Sequence, residues 1–216
     1  MAAACLAAGR DVGDVTLLAV SKTFGAEAVA QAYAAGQTAF GENYIQEAVQ
    51  KITALRHLPL QWHCIGPIQS NKTRLVAEHF DWVHTVDRIR TAQRLSEQRP
   101  AGLAPLQVCI QINVDGGATK SGVPPEDARA LAQQVAALPN LCLRGVMSIP
   151  EPAGGFAAAC AVFDRVHAVF EALKADGHAL DTLSIGISAD LEAAIHAGST
   201  LVRVGSAIFG ARTRTA

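Results

Sequence analysis

Eight times along the chain a short β-rich apolar run gives way to a segment with helical spacing. The strand candidates are 15–21, 37–41, 60–65, 81–86, 106–114, 141–149, 181–187 and 200–205. The first of them, Thr16-Leu17-Leu18-Ala19-Val20-Ser21, is too continuously apolar for a half-exposed strand and reads as one buried on both faces. Helical spacing falls between the strands, over 25–35, 43–56, 70–79, 87–98, 124–138, 155–176 and 188–197, with a last turn from Ser206. Several of these segments carry entry or exit chemistry. Asn43 stands before Tyr44-Ile45-Gln46 as an N-cap with a glutamine at the third helical position. Pro124-Pro125 ahead of Glu126-Asp127 supplies a first turn. Gly36, Gly177 and Gly198 sit where helices should stop.

Eight β-α repeats predict an α/β fold with a closed parallel sheet, a single (β/α)8 TIM-type barrel covering residues 1–216. An open doubly wound sheet is disfavoured, since no GxGxxG follows a strand. No linker, low-complexity tract or charge run divides the chain.

Composition narrows the partners. Half the residues are hydrophobic and 17% are charged, which favours a filled core. A net charge of −1 offers no footprint for nucleic acid or an anionic membrane. The five cysteines form no CxxC pair, and their odd, scattered distribution argues against a secreted disulfide scaffold. The apolar opening, residues 1–8, lacks a basic leader region, and no run reaches the roughly 18–20 apolar residues of a membrane span. A monomer in the cytoplasm is the expectation.

In such barrels chemistry belongs to the C-terminal ends of the strands. Lys22 follows the first strand, and alternation places it on the side of Leu18 and Val20. Burial favours the free amine over the ammonium, which suits a nucleophile that condenses with an aldehyde to a Schiff base. The plainer alternative is a lysine reaching solvent at a strand end. The last two units each end in glycine and serine as a helix begins: Gly186-Ile187-Ser188 and Gly205-Ser206. Loops seven and eight of a barrel often hold phosphate this way, although the same residues also serve as tight turns and helix caps. Arg203, inward if Gly205 faces the mouth, needs an acceptor: a ligand, backbone carbonyls, or an inner acid such as Glu42. His63 reads as a satisfied core histidine, and Lys120 as a loop lysine able to meet an anion. No zinc-like spacing or serine-histidine-acid arrangement stands out.

Taken together, these stretches resemble the pyridoxal-phosphate homeostasis protein family, whose fold is like the N-terminal barrel domain of alanine racemase. The matching segments include Leu17-Leu18-Ala19-Val20-Ser21-Lys22-Thr23, Phe40-Gly41-Glu42-Asn43-Tyr44, Trp62-His63-Cys64-Ile65-Gly66-Pro67-Ile68-Gln69-Ser70-Asn71-Lys72 and Lys120-Ser121-Gly122. They continue through 188–195, 198–200, Val202-Arg203 and 208–212. The resemblance implies the cofactor pyridoxal 5′-phosphate (PLP), held as an aldimine on Lys22. It further implies that Arg203 faces the pyridine nitrogen, that Ser188, Gly205 and Ser206 hold the phosphate, and that Asn43 walls the ring. Three positions depart from the usual pattern: Cys64 stands where a larger Phe or Met is common, Ile187 where Met is common, and Ser206 where Thr is common. The segment matching Ala2 to Gly9 lacks the usual preceding stretch, so a shortened N-terminal helix is expected.

An arginine at the pyridine nitrogen leaves the ring a poorer electron sink than a carboxylic acid would. A two-base racemase also needs a second acid/base, and the two tyrosines, Tyr33 and Tyr44, fall on predicted helices. The leading expectation is a non-enzymatic protein of intracellular PLP homeostasis that delivers the cofactor to PLP-dependent apo-enzymes. The alternatives are a PLP-dependent amino-acid racemase-like enzyme and a cofactor-free Schiff-base aldolase.

Overall fold

A computed structural model describes residues 1–116 and 120–210. Positions 117–119, before Lys120, and the 211–212 end of the last matching segment lie outside the described residues. The strands are β1 (Thr16–Val20), β2 (Ala39–Glu42), β3 (Gln61–Cys64), β4 (Trp82–Val86), β5 (Leu106–Gln111), β6 (Leu141–Met147), β7 (Thr182–Ile187) and β8 (Leu201–Val204). All pair in parallel and in chain order. The barrel closes where Leu18 of β1 lies opposite Arg203 of β8. Each strand lies within three residues of its predicted ends.

Strand alternation divides the protein into two cores. Phe40, Trp62, Val83, Val108, Ile110, Leu183 and Ile185 point outward into the main apolar layer beneath the helices. That layer is covered by α2 (Ala26–Ala34), α3 (Ile45–Ala54), α4 (Thr73–His79), α5 (Ile89–Gln98), α6 (Ala128–Ala136), α7 (Phe156–Ala175) and α8 (Leu191–His196). Inside the barrel the apolar contacts are two small groups, one of Leu18, Val20, Ala39, Ile65 and Leu201, the other of Trp82, Cys109 and Met147. The rest of the interior is polar, with His63, His84, Ser184 and Arg203 all buried. The N-terminal helix, α1 (Ala2–Ala7), packs Cys5 on the outer face of β8 and on Ile195 of α8. Arg10 then donates to the carbonyls of Ile195 and Ser199, satisfying the end of α8. All five cysteines are free, and Cys5, Cys64 and Cys109 are buried.

Three local expectations need correction. β1 ends at Val20, so Lys22 occupies the turn beyond the strand. Asn43 is not an N-cap: α3 starts at Ile45 after Tyr44, with no side-chain cap. The Asn43 backbone instead runs on against the loop after β3, where a Cβ on Gly66 would lie 2.4 Å from the Asn43 carbonyl oxygen. Ser188 likewise caps no helix. Gly186, at φ 90°, takes up a register shift between β7 and β8, and a Cβ there would lie 2.3 Å from that of Ala194. The chain turns through 188–190, Asp190 Oδ1 accepts the Ile187 N–H at 2.7 Å, and α8 starts only at Leu191.

Candidate functional site

A cavity of about 480 Å³ opens at the C-terminal mouth of the barrel, between β1, β2, β7 and β8. Small-molecule sites are roughly 300–1,000 Å³, so the size suits a small-molecule ligand. Lys22, Asn43, Ser188, Arg203, Gly205 and Ser206 all line it, so the six residues singled out from sequence meet in one place. Val20, Ile65 and Phe24 supply apolar wall. Phe24 stacks on Phe209 at 5.1 Å between ring centres, tying the turn after β1 to α9 (Ser206–Phe209).

The turn carrying Lys22 is gripped from outside the barrel. Ser21 Oγ donates to Glu42 Oε1 at 2.6 Å, and Lys51 Nζ of α3 donates to the same oxygen at 2.7 Å and to the Ser21 carbonyl at 2.9 Å. Glu47 Oε1 pairs with Lys51 at 2.9 Å and accepts the Thr23 N–H at 3.1 Å. Both residues flanking Lys22 are thereby fixed. Thr23 sits at φ 71°, a left-handed conformation that a β-branched side chain rarely adopts. Burial raises the Glu42 carboxyl above its ordinary value, against the lowering effect of Lys51 and Ser21.

Arg203 is held from within. Its Nη1 donates to Ser184 O at 2.7 Å and Ser184 Oγ at 2.8 Å, and its Nη2 to Ser148 O at 2.8 Å. Glu42 is not its partner. Inward-facing Gly41 and outward-facing Phe40 show that Glu42 points to the helix side of β2, where Lys51 takes it. No carboxylate contacts the guanidinium among the described residues. Burial draws Arg203 down to about 10, which leaves it cationic at neutral pH.

Two further residues line the cavity. Asn43 Oδ1 is buried without a hydrogen-bond partner among the described residues. Ser188 Oγ accepts the Gly205 N–H at a long 3.4 Å, which brings the β7 turn to the start of α9. Among the described residues, Lys22 and Arg203 are the only ionisable ones in the lining. An amine, a guanidinium, an amide and two hydroxyls therefore converge on one space with no carboxylate. This donor set suits a small anion with hydrogen-bond acceptors, and the amine can condense with a carbonyl group.

His63 lies away from the mouth, buried and bonded to His84 and Gln61 as a core histidine. Lys120 pairs with Asp115 and Glu151 and does not line the cavity. The supporting residues Ser21, Thr23, Glu47, Lys51, His84 and Ser184 were not singled out from sequence. Strand alternation could have found Ser184 and His84, which share the inward face with Arg203. The α3 residues Glu47 and Lys51 carry only an ordinary i,i+4 charge pattern.

The family described as "Alanine racemase, N-terminal domain" matches residues 6–213. The pyridoxal phosphate homeostasis protein of Pseudomonas aeruginosa is 61% identical over 209 residues, covering 97% of this chain and 90% of its own. That of Escherichia coli K12 is 53% identical over 215 residues, covering 98% and 92%. Among solved structures, PipY of Synechococcus elongatus, with PLP bound, superposes with a TM-score of 0.85 at 38% identity, covering 97% of this chain and all of that one. Alanine racemase from Corynebacterium glutamicum superposes at 0.69 with 20% identity over 94% of this chain and 58% of its own, a likeness of fold.

Proposed function

The chain belongs to the alanine racemase N-terminal-domain family and to the pyridoxal phosphate homeostasis proteins, and from that membership we propose that it binds pyridoxal 5′-phosphate covalently through Lys22. Residues 1–216 act as one cofactor-binding barrel, a non-enzymatic store that yields PLP to apo-enzymes in the cytoplasm. The observation that carries the reading is the meeting of the six residues in one carboxylate-free cavity.

The residues fit the cofactor. When bound, PLP supplies an aldehyde with which a primary amine condenses, releasing water. Lys22 brings that amine to the wall, on a turn fixed at both neighbours by Ser21, Glu47 and Lys51. Arg203 offers N–H donors to a ring nitrogen and can accept no proton from it. Asn43 brings a buried amide oxygen without a protein partner. Ser188, Ser206 and the Gly205 peptide surround the place for a phosphate, close to the start of α9.

Storage is favoured over catalysis by what the cavity lacks. Racemisation needs a second acid/base across from the lysine, and the sole other ionisable lining residue, among those described, is a guanidinium. Tyr33 on α2 and exposed Tyr44 lie off the lining. Five free cysteines accord with a reducing compartment. The test is borohydride reduction of PLP-treated protein followed by peptide mapping. The label is expected on Lys22 and lost in Lys22→Ala; label on another lysine would overturn the assignment. Turnover of any amino acid across a broad panel would favour the racemase-like alternative.

A further inference from the structure

The Arg203 guanidinium is the upper end of a line of buried side chains that crosses the barrel interior. Its Nη1 reaches Ser184 Oγ at 2.8 Å, Ser184 Oγ lies 2.9 Å from His84 Nδ1, and His84 Nε2 lies 2.9 Å from His63 Nδ1. His63 Nε2 then meets Gln61 Oε1 at 3.0 Å, where the line reaches the opposite, N-terminal mouth of the barrel. Trp82 stacks on His63 with ring centres 5.2 Å apart and planes 9° apart, fixing that ring's plane. Nothing in the binding of a ligand at the C-terminal mouth requires such a line to exist.

Its direction follows from hydrogen-bond capacity. An arginine can only donate. Ser184 Oγ accepts from it, so the Ser184 proton is free to go to His84 Nδ1. That nitrogen must then be the bare one, and His84 carries its proton on Nε2. The proton points at His63 Nδ1, which is bare in turn, and His63 donates from Nε2 to Gln61 Oε1. Every donor then has one acceptor. In the reverse arrangement His84 and Arg203 both donate into Ser184 Oγ, whose own proton has no described acceptor. Such an orphaned buried hydroxyl is disfavoured, because its lost hydration is not replaced. Burial disfavours a charged ring at either histidine and holds His63 down to about 3.

We infer that Ser184 and His84 are positioning residues for Arg203, the middle links of a one-way hydrogen-bond chain that aims the guanidinium at the cofactor. The chain ties Nη1 to Ser184, while Ser148 O holds Nη2. The Nε–H and one Nη2–H are left without an acceptor among the described residues, available to a ring nitrogen. Tautomer choice deep in the barrel thereby decides which oxygen lone pair Arg203 meets at the mouth. The consequence for the ligand rests on the PLP reading above; the chain itself does not.

Two measurements test it. The first is a long-range proton–nitrogen NMR spectrum of the isotope-labelled, ligand-free protein at neutral pH, with His63 and His84 assigned through His84→Asn. Both rings are expected neutral and protonated on Nε2; an Nδ1-protonated or imidazolium form at either would overturn the inference. The second is PLP retention followed by absorbance. Ser184→Ala and His84→Gln, which remove the hydroxyl and the Nδ1 acceptor, should each weaken retention about tenfold, with label still on Lys22. His84→Asn, whose Oδ1 falls near the place of Nδ1, should stay within about threefold of the parent protein. Folded Ser184→Ala and His84→Gln with parental retention would refute the positioning role. Should these variants fail to fold, the spectrum of the parent protein decides. Failure of the parent protein to take up PLP would remove the function proposed above while leaving the tautomers to judge the chain.

Discussion

Two buried cations stand on either side of the barrel wall, and they are treated in opposite ways. Lys51, on the helix side of β2, is paired at 2.7 Å with Glu42 and at 2.9 Å with Glu47. Arg203, inside the barrel, meets only neutral oxygens, from Ser184 and Ser148. The first charge is neutralised within the protein and serves to hold the Ser21 carbonyl beside Lys22. The second has no carboxylate in contact among the described residues, with Asp190 acting on it only at a distance, a state that an acceptor ligand relieves. A structural charge is cancelled where it lies, and a binding charge is kept open.

The comparison breaks most visibly in stability. Lys51→Met strands Glu42 and Glu47 and should cost about 3–5 kcal/mol in denaturant unfolding, as for one partner removed from a buried pair. Arg203→Met removes a cation that has no ion pair among the described residues. It should cost the ligand-free protein only about 1–2 kcal/mol, for the oxygens left unbonded, while PLP retention collapses. Equal costs for the two variants would mean that Arg203 is as structurally committed as Lys51.

Ser206→Ala probes the anion end of the open side. If Ser206 donates to the phosphate as proposed, losing its hydroxyl should weaken PLP binding by about 1–3 kcal/mol, with unfolding of the ligand-free protein unchanged. An unaltered dissociation constant would remove Ser206 from the phosphate site.

Acid separates the two sides further. Burial holds His63 and His84 below the ordinary value of 6.5, His63 to about 3. As pH falls below 6.5 the unfolded chain takes up protons that the fold refuses. The stability from these rings is therefore complete above that value and lost as pH falls toward the folded values. The slope is about 1.4 kcal/mol per pH unit for each histidine. Glu42, shifted upward by burial, runs the other way: its contribution is present at low pH and lost as pH rises through its folded value. His84→Asn should remove one histidine's worth of slope; a profile parallel to the parent's would mean that His84 is charged in the fold.

The barrel was legible because eight apolar runs separated by helical spacing have few other ways to bury their faces. The site was legible at Lys22, Arg203 and the two glycine-serine turns, where residue chemistry conflicts with a plain core or turn. Asn43 was marked as a site residue by resemblance, and its expected capping role failed because its backbone lies against Gly66 and α3 starts only at Ile45. Ser188 failed as a cap because the register shift at Gly186 delays α8 to Leu191. The gripping network escaped because Glu42, Glu47 and Lys51 meet only when β2 and α3 pack, and Glu42 read equally well as an inner acid. Lone-pair direction in the Ser184–His84–His63 line has no trace in residue spacing at all.

The smallest expected effect concerns the strain beside Lys22. Thr23 at φ 71° pays for a left-handed backbone that glycine adopts freely, a cost of order 1–3 kcal/mol. Glycine also adds freedom to the unfolded chain, which offsets roughly 0.4–1 kcal/mol of the relief. Thr23→Gly should therefore leave stability unchanged or raise it by up to about 2.5 kcal/mol, because the Glu47 contact is to the Thr23 peptide N–H and survives the substitution. The turn would nonetheless be freer, and the rate of covalent PLP attachment at Lys22 should fall while the extent at saturation is retained. A destabilised protein would show that the Thr23 side chain, rather than its backbone, matters. An unchanged rate would show that the charged network alone sets the position of the amine, which would sharpen the contrast with Arg203, whose own side chain takes all the restraints.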